Sequence, residues 1–308
     1  MTEFYCRILE REDTEKFKDL HNTLFRNTAI SHEWWNWYRE IEIFDRSFFT
    51  RVYGAFDGDR LIVIWCVEPK SMLINGENTR VGRCFSVGVH PDYQRKGIFV
   101  KLSTYAIEKE REKRQYEYIL GFPEVGRSVI GGHIKSGWHR VQIIQMMSIK
   151  SERIVPSVSL GSVERVVDFN QLSAIPHLDG DFITSAGYRN RKWLNHPDNL
   201  YICLSKKSSF IVAKVYKDFC HILDIGGDNE NTRLLIEAIK TLSFRHRWRE
   251  INVWCASNNP RLSVFKSAGF TDGSDCGSSV EFLAVRINAK EALSLNSSCF
   301  HMGIEEVP

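Results

Sequence analysis

The stretch FSVGVHPDYQRKGIFVKL, residues 85–102, combines residue types that suit an anion. An apolar strand breaks at His90-Pro91, two cations follow at Arg95 and Lys96, and Gly97 precedes an apolar helix onset. The main-chain N–H groups of Arg95 to Phe99 then fall where a new helix has no carbonyl to bond, and the helix dipole adds partial positive charge there. A diphosphate fits such a place because it brings several acceptor oxygens and negative charge. Gly97 leaves the backbone bare, and Arg95 and Lys96 stand at the mouth. An ordinary strand–turn–helix with solvated basic residues is the other reading, since short glycine motifs recur by chance.

The elements that must position this turn can be read on both sides of it. Strand patterns occur at EFYCRILE, FFTRVYGAF, RLIVIWCVE, RVGRCFSVGVH, YEYILGF and RVQIIQMMSI. Helical patterns occur at DTEKFKDLHNTLF, with Asp13 or Thr14 as cap, and at HEWWNWYRE, KGIFVKLSTYAIEKERE and EVGRSVIGGHIKSG. The second of these gathers Trp34, Trp35, Trp37 and Tyr38, more aromatic surface than one core stripe uses, which suits a substrate or packing between domains. FDGDR and INGEN are hairpin turns, because glycine accepts the positive φ they demand. Ile98, Leu102, Tyr105 and Ala106 give the helix after the turn one apolar face. The order describes a mixed α/β unit with antiparallel strands first, not a doubly wound one.

From residue 151 the segment SERIVPSVSLGSVE is polar and reads as a connector. A similar order then returns, with strands at LYICLSK, SFIVAKVY, FCHILDIGG, EINVWCAS and SVEFLAVRI, and helices at NTRLLIEAIKTLSFRH and PRLSVFKSAG. HIKSGW and VFKSAGF each close a helix that follows a strand, and a tryptophan-bearing helix precedes the hairpins in both halves. Duplication, with domains at 1–150 and 151–308, accounts for this. The basic run SFRHRWRE at a helix end reads as a solvated terminus that favours the dipole.

Bulk properties narrow the class. The chain has 308 residues, 43% hydrophobic and 26% charged, which is ordinary globular composition. A net charge of +3 argues against a dedicated nucleic-acid binder. No apolar run approaches the roughly 20 residues of a membrane helix, and the acidic start MTEFYCRILERED does not read as a secretory signal. The eight cysteines are scattered without a CxxC pair, which points to free thiols in a reducing cytoplasm and to no metal site.

VGVHPDYQRKGIFVKL resembles the coenzyme A motif of the GNAT acyltransferase superfamily, Gln/Arg-x-x-Gly-x-Gly/Ala. Gln94, Arg95, Lys96, Gly97, Ile98 and Phe99 fill its six positions, with Phe99 replacing the usual small residue as in a branch where KGIF is common. The resemblance implies two tandem GNAT-like domains, the second degenerate because no such turn precedes NTRLLIEAIK. It implies acyl-CoA as co-substrate, no permanently bound cofactor, and splayed fourth and fifth strands with the pantetheine arm against Val87 and Val89. It places His133 of HIKSGW where a tyrosine often protonates the departing thiolate; a packed or surface histidine is the alternative. It places Ser86 where an acid often serves as base. A hydroxyl alone is too weakly basic, so a water relay or a carboxylate from elsewhere is required.

Glu33, Trp34 and Trp37 of HEWWNWYRE, with Phe122 and Glu124 of GFPE, fall on the implied acceptor side. Glu124 equally suits a helix N-terminal acid. Tandem chains of this kind resemble N-acyltransferases for nucleotide-linked amino sugars, specifically dTDP-3-amino-3,6-dideoxyhexoses, in bacterial surface-polysaccharide synthesis. Acceptors of protein, peptide or small-amine type, or a non-catalytic acyl-CoA-binding module, are the alternatives. Neither nucleic acid nor membrane is expected as a partner.

Overall fold

Alternation in the first half produces strands where one face must be buried. The computed structural model describes residues 4–25, 50–172, 178, 180–196 and 200–295. After strand β1 (Tyr5–Ile8), helix α1 (Thr14–Leu24) starts at Asp13, whose carboxylate does not cap it. That carboxylate accepts from Arg7 at 2.8 Å and from the Glu10 N–H at 2.9 Å. Strands β2 (Arg51–Asp57), β3 (Arg60–Ile74) and β4 (Glu77–Val89) follow as a meander. Its two turns carry Gly58 and the pair Asn75-Gly76 at positive φ, the conformations their Asp-Gly and Asn-Gly sequences favour.

Helix α2 (Ile98–Lys113) crosses over to β5 (Tyr118–Gly121), which runs parallel to β4, and α3 (Ser128–Lys135) leads into β6 (His139–Lys150). The connector reads as short 3-10 turns and the two-residue strand β7 (Glu164–Arg165). After β8 (Phe182–Ile183) come α4 (Ala186–Arg189) and a π-helical turn, Asn190–Leu194. The second meander is β9 (Tyr201–Lys206), β10 (Ser209–Tyr216) and β11 (Phe219–Gly226). Helix α5 (Asn229–His246) crosses to β12 (Glu250–Ala256), parallel to β11, and α6 (Leu262–Ser267), β13 (Thr271–Asp272) and β14 (Val280–Arg286) complete the described elements.

The halves therefore repeat one plan, a meander whose last strand is joined by a crossover helix to a parallel neighbour. They do not form separate sheets. The strand order is β1-β2-β3-β4-β5-β14-β6-β12-β11-β10-β9-β7. Strand β6 of the first half bonds to β12, and β14 of the second half bonds to β5, so each half lends its last long strand to the other. One apolar cluster, from Met72 and Val81 through Phe122 and Phe282 to Trp254 and Phe210, runs under both halves on one face. On the opposite face, α2 buries Ile98, Leu102, Ala106 and Ile107 against Val63, Trp65 and Val67 of β3. Helix α1 lies on the far side of the same strands, with Phe17 and Leu20 against Ile64 and Cys66. Period-2 alternation along β3 thus sorts its residues between two helices.

Candidate active site

Strands β4 and β5 pair only from Val81 with Tyr118 to Arg83 with Leu120. Beyond that point β4 continues to Val89, whereas β5 ends at Gly121 and its chain turns to meet the other half. Glu124 bridges to Val280, and the Glu281 N–H donates to the Pro123 carbonyl at 2.8 Å. A gap opens along the β5 side of Phe85–Val89, whose residues are only partly buried. Main chain without a strand partner is the surface an extended, amide-bearing arm would bond.

The floor of the gap is a β-bulge. Ile64 pairs with Gly88 and Cys66 with Phe85, so Ser86 and Val87 together oppose Trp65. Ser86 has φ +44°, a left-handed conformation that costs a non-glycine residue about 1 kcal/mol or more. Its Oγ lies 3.4 Å from Nε2 of His21 on α1.

At the mouth, His90 opens a short 3-10 turn, and Arg95 and Gly97 both take positive φ, +61° and +75°. Gly97 is the residue before α2, and a Cβ there would meet nothing, so its need is conformational as well as one of access. Among the described residues no main-chain carbonyl accepts from the N–H groups of Arg95 to Val100, while the Lys101 N–H closes the first helical bond to Gly97. Gln94, Arg95, Lys96 and Gly97 are exposed, Ile98 is buried, and Phe99 is half-buried. The turn is braced from below: Tyr93 donates to Asp57 at 2.8 Å, Arg60 donates to His90 Nε2 at 2.9 Å, and Lys96 donates to the Asp92 carbonyl at 3.0 Å.

The bulky Phe99 is accommodated by α3. A Cβ on Gly132 would stand 2.3 Å from its Cδ1 and 2.5 Å from its Cε1. The ring also meets His133 edge-on, with centroids 5.1 Å apart. His133 is 3% exposed, lies 4.4 Å from the Trp138 ring, and has no hydrogen-bond partner at Nδ1 among the described residues. Burial pushes its imidazole down to about 3, so it is neutral at working pH. The residue that meets Ser86 is His21, and His133 is instead packed between two rings of the α2–α3 interface.

Phe122 is buried and stacked on Phe282, 5.0 Å between centroids, in the core shared by the halves. Glu124 is exposed and accepts from Arg127 Nε at 2.6 Å. Glu33, Trp34 and Trp37 lie outside the described residues.

Two features escaped the motif reading. His21 carries no local signature; only the helix–sheet packing brings it to the bulge. The other is a polar cluster on the α1 side of the sheet, where Glu68, Lys70 and Arg83 meet Tyr188 and Lys192 of the second half. Glu68 pairs with Arg83 and stands 3.4 Å from Lys70, and Lys70 donates to the Tyr188 hydroxyl at 3.1 Å. Burial would raise the Glu68 carboxyl, but Arg83, Lys70 and Lys192 outweigh it and hold it low. Burial likewise opposes ionising Tyr188, yet Lys192 and Lys70 bring the phenol below its usual range. The signal was present in RLIVIWCVEPK, where Glu68 and Lys70 interrupt an apolar strand on one face.

The corresponding turn in the second half is closed. Asp228 caps α5, accepting from the Asn231 N–H at 2.8 Å and its Nδ2 at 2.7 Å, while the Ser209 hydroxyl donates to it at 3.2 Å. These bonds hold its carboxyl below the usual range, so a fixed negative charge occupies the place of an anion. Buried Arg261 binds the Gly227 carbonyl at 2.9 Å. Among the described residues no cluster of His, Cys, Asp and Glu suits a metal, and no helix is long and apolar enough to cross a membrane.

A parallel strand pair that parts over a helix N-terminus of unbonded amides defines a class, and the comparisons agree with it. Residues 6–129 match the family model described as an acetyltransferase (GNAT) domain. Similar solved structures include a GCN5-related N-acetyltransferase from Kribbella flavida, at 12% identity and TM-score 0.64, over 92% of this chain and 70% of that one. A tandem GNAT protein from the clavulanic acid biosynthesis pathway aligns at 13% identity and TM-score 0.58, over 94% of this chain and 100% of that one. Saccharomyces cerevisiae N-myristoyltransferase with bound myristoyl-CoA aligns at 9% identity and TM-score 0.59, over 92% and 83%. No curated protein matches the sequence. The first half carries a GNAT domain within a tandem GNAT fold. The match of residues 6–129 supports acyl-CoA-dependent N-acyl transfer by that domain, with acyl-CoA as co-substrate rather than a resident cofactor.

Proposed function

We propose that the chain transfers an acyl group from acyl-CoA to the amine of a nucleotide-linked amino sugar, a dTDP-3-amino-3,6-dideoxyhexose, in the cytoplasm for surface-polysaccharide synthesis. The observation that carries the transfer is the loss of β4–β5 pairing past Arg83 and Leu120, next to the unbonded amides of Arg95 to Val100. The diphosphate of CoA sits on those amides with Gln94, Arg95, Lys96 and Gly97 around it, and Ile98 and Phe99 anchor the helix beneath. The pantetheine arm follows Val87 and Val89, which brings the thioester to the bulge at Ser86. There a main-chain N–H meets the carbonyl oxygen as negative charge grows on it.

The acceptor enters from the face opposite α2, where the second half covers the sheet. Lys70, Arg83 and Lys192 with the Tyr188 phenol stand on that face, which suits an acceptor carrying phosphate groups. The amine attacks directly in a ternary complex, so C–N formation and C–S cleavage pass through one tetrahedral carbon with no acyl-enzyme. Titration with CoA in a calorimeter, then free-thiol release from acetyl-CoA with dTDP-amino sugars, peptides and small amines, tests each part. Absence of heat with CoA overturns the donor site. Turnover on peptides or small amines but on no nucleotide sugar overturns the acceptor.

A further inference from the structure

The bulge residue Ser86 has a partner that neither the motif nor the family match assigns. Its Oγ is 3.4 Å from His21 Nε2, and contacts of this length commonly tighten when substrate engages. Ser86 is held at φ +44° in the middle of a strand, and such strain concentrates at functional positions. His21 lies in the last turn of α1 and is 7% exposed, with the Phe17 ring 5.7 Å away and the Phe25 ring 4.6 Å away. Both rings pack tilted against the imidazole. Burial lowers its affinity for protons to about 4, so the ring is neutral, and Nε2 is the acceptor in the tautomer that carries its proton on Nδ1.

We infer that Ser86 and His21 form a proton relay, with Ser86 touching the reacting amine and His21 acting as the positioning residue behind it. The inference rests on the acyl-transfer reading above. As the amine nitrogen bonds to the thioester carbon, its proton passes to Ser86 Oγ while the Ser86 proton passes to His21 Nε2. Collapse of the tetrahedral carbon breaks C–S, and the proton returns from His21 through Ser86 to the thiolate, a stronger base than this buried imidazole. The products are amide and CoA thiol, and the protein ends unchanged. The relay removes the need for the strand carboxylate that Ser86 replaces.

The test compares His21→Gln, Ser86→Gly and the double variant with the wild type. Ser86→Gly suits the left-handed backbone and keeps the fold if His21→Gln does not. Calorimetry with CoA is run first on all four. Thiol release from acetyl-CoA is then measured with dTDP-3-amino-3,6-dideoxyglucose, and with water as the acceptor if that sugar does not react. We expect unchanged CoA affinity, a kcat lowered about 100-fold in each single variant with KM for acetyl-CoA within about threefold, and no further loss in the double variant. A kcat retained within about threefold in Ser86→Gly, or losses that multiply in the double variant, overturns the relay. Wild-type protein that releases no heat with CoA overturns the acyl-transfer reading instead.

Discussion

Gly132→Ala is the sharpest probe of how the unusual Phe99 is built into the start of α2. The added Cβ would stand 2.3 and 2.5 Å from two carbons of the Phe99 ring, against the roughly 3.5–4 Å that carbon atoms prefer. The ring must shift by more than about 1 Å, and it is wedged edge-on against His133. Overpacking of this kind costs about 1–3 kcal/mol. Alanine also improves on glycine in a helix by about 1 kcal/mol, so the net loss for Gly132→Ala is about 0–2 kcal/mol, centred near 1. Gly131 is the internal control: it is exposed, and a Cβ there meets nothing. Gly131→Ala should therefore stabilise by up to about 1 kcal/mol. In a Phe99→Ala background the clash is gone, and Gly132→Ala should change sign and stabilise as Gly131→Ala does. Urea midpoints of the five proteins measure this, with a coupling of about 2 kcal/mol between residues 99 and 132. Equal effects of the two glycine substitutions in the native background, or additive effects of Phe99→Ala and Gly132→Ala, would refute the packing argument.

Three further outcomes follow. His21, His133 and His221 sit at about 4, 3 and 4 because burial disfavours their charged forms, while unfolded they titrate near 6.5. The unfolded chain then binds more protons, so stability is complete above pH 6.5 and falls below it, by up to about 4 kcal/mol per pH unit down to about pH 4; urea midpoints that stay level from pH 7 to 5 contradict this. Gly97→Ala should weaken CoA binding in the calorimeter by about tenfold, because an alanine held at φ +75° costs about 1–2 kcal/mol and the turn relaxes to escape it; unaltered affinity contradicts it. A fragment of residues 1–150 should fail to give dispersed amide resonances, because β6 would lose both β12 and β14 as neighbours.

The elements were largely legible in the sequence because their periodicity is strong. SFIVAKVY is β10 throughout, and the helices at 13–25 and 96–112 differ from α1 and α2 by a residue or two. The turn before α2 was legible for the same reason: its free N–H groups are main chain, so proline, glycine and helix onset mark it. The exchange of β6 and β14 was not legible, since an alternating strand reads the same beside either neighbour. His21 and the Tyr188 cluster were hidden because their meaning comes from pairs 65 and 118 residues apart. The role implied for His133 came from motif position, which says nothing about exposure; the ring of Phe99 over Gly132 and the ring of Trp138 enclose it.

The strand exchange gives the second half a structural part in the gap of the first. In the first half the gap along Phe85–Val89 opens because β5 stops at Gly121, and what stops it is the turn of its chain onto β14. The Pro123 carbonyl is bonded to Glu281 and Glu124 bridges to Val280, so the far wall of the gap is anchored by a strand of the second half. The same half supplies Tyr188 and Lys192 to the opposite face. Its own turn is closed by side chains: the Asp228 carboxylate accepts from the Asn231 N–H, and Arg261 donates to the Gly227 carbonyl. Asp228→Gly should accordingly destabilise the chain without creating a second CoA site, because Arg261 still holds the Gly227 carbonyl. Calorimetry that returned two CoA per chain for that variant would show that the cap alone, and not the whole turn, separates the halves.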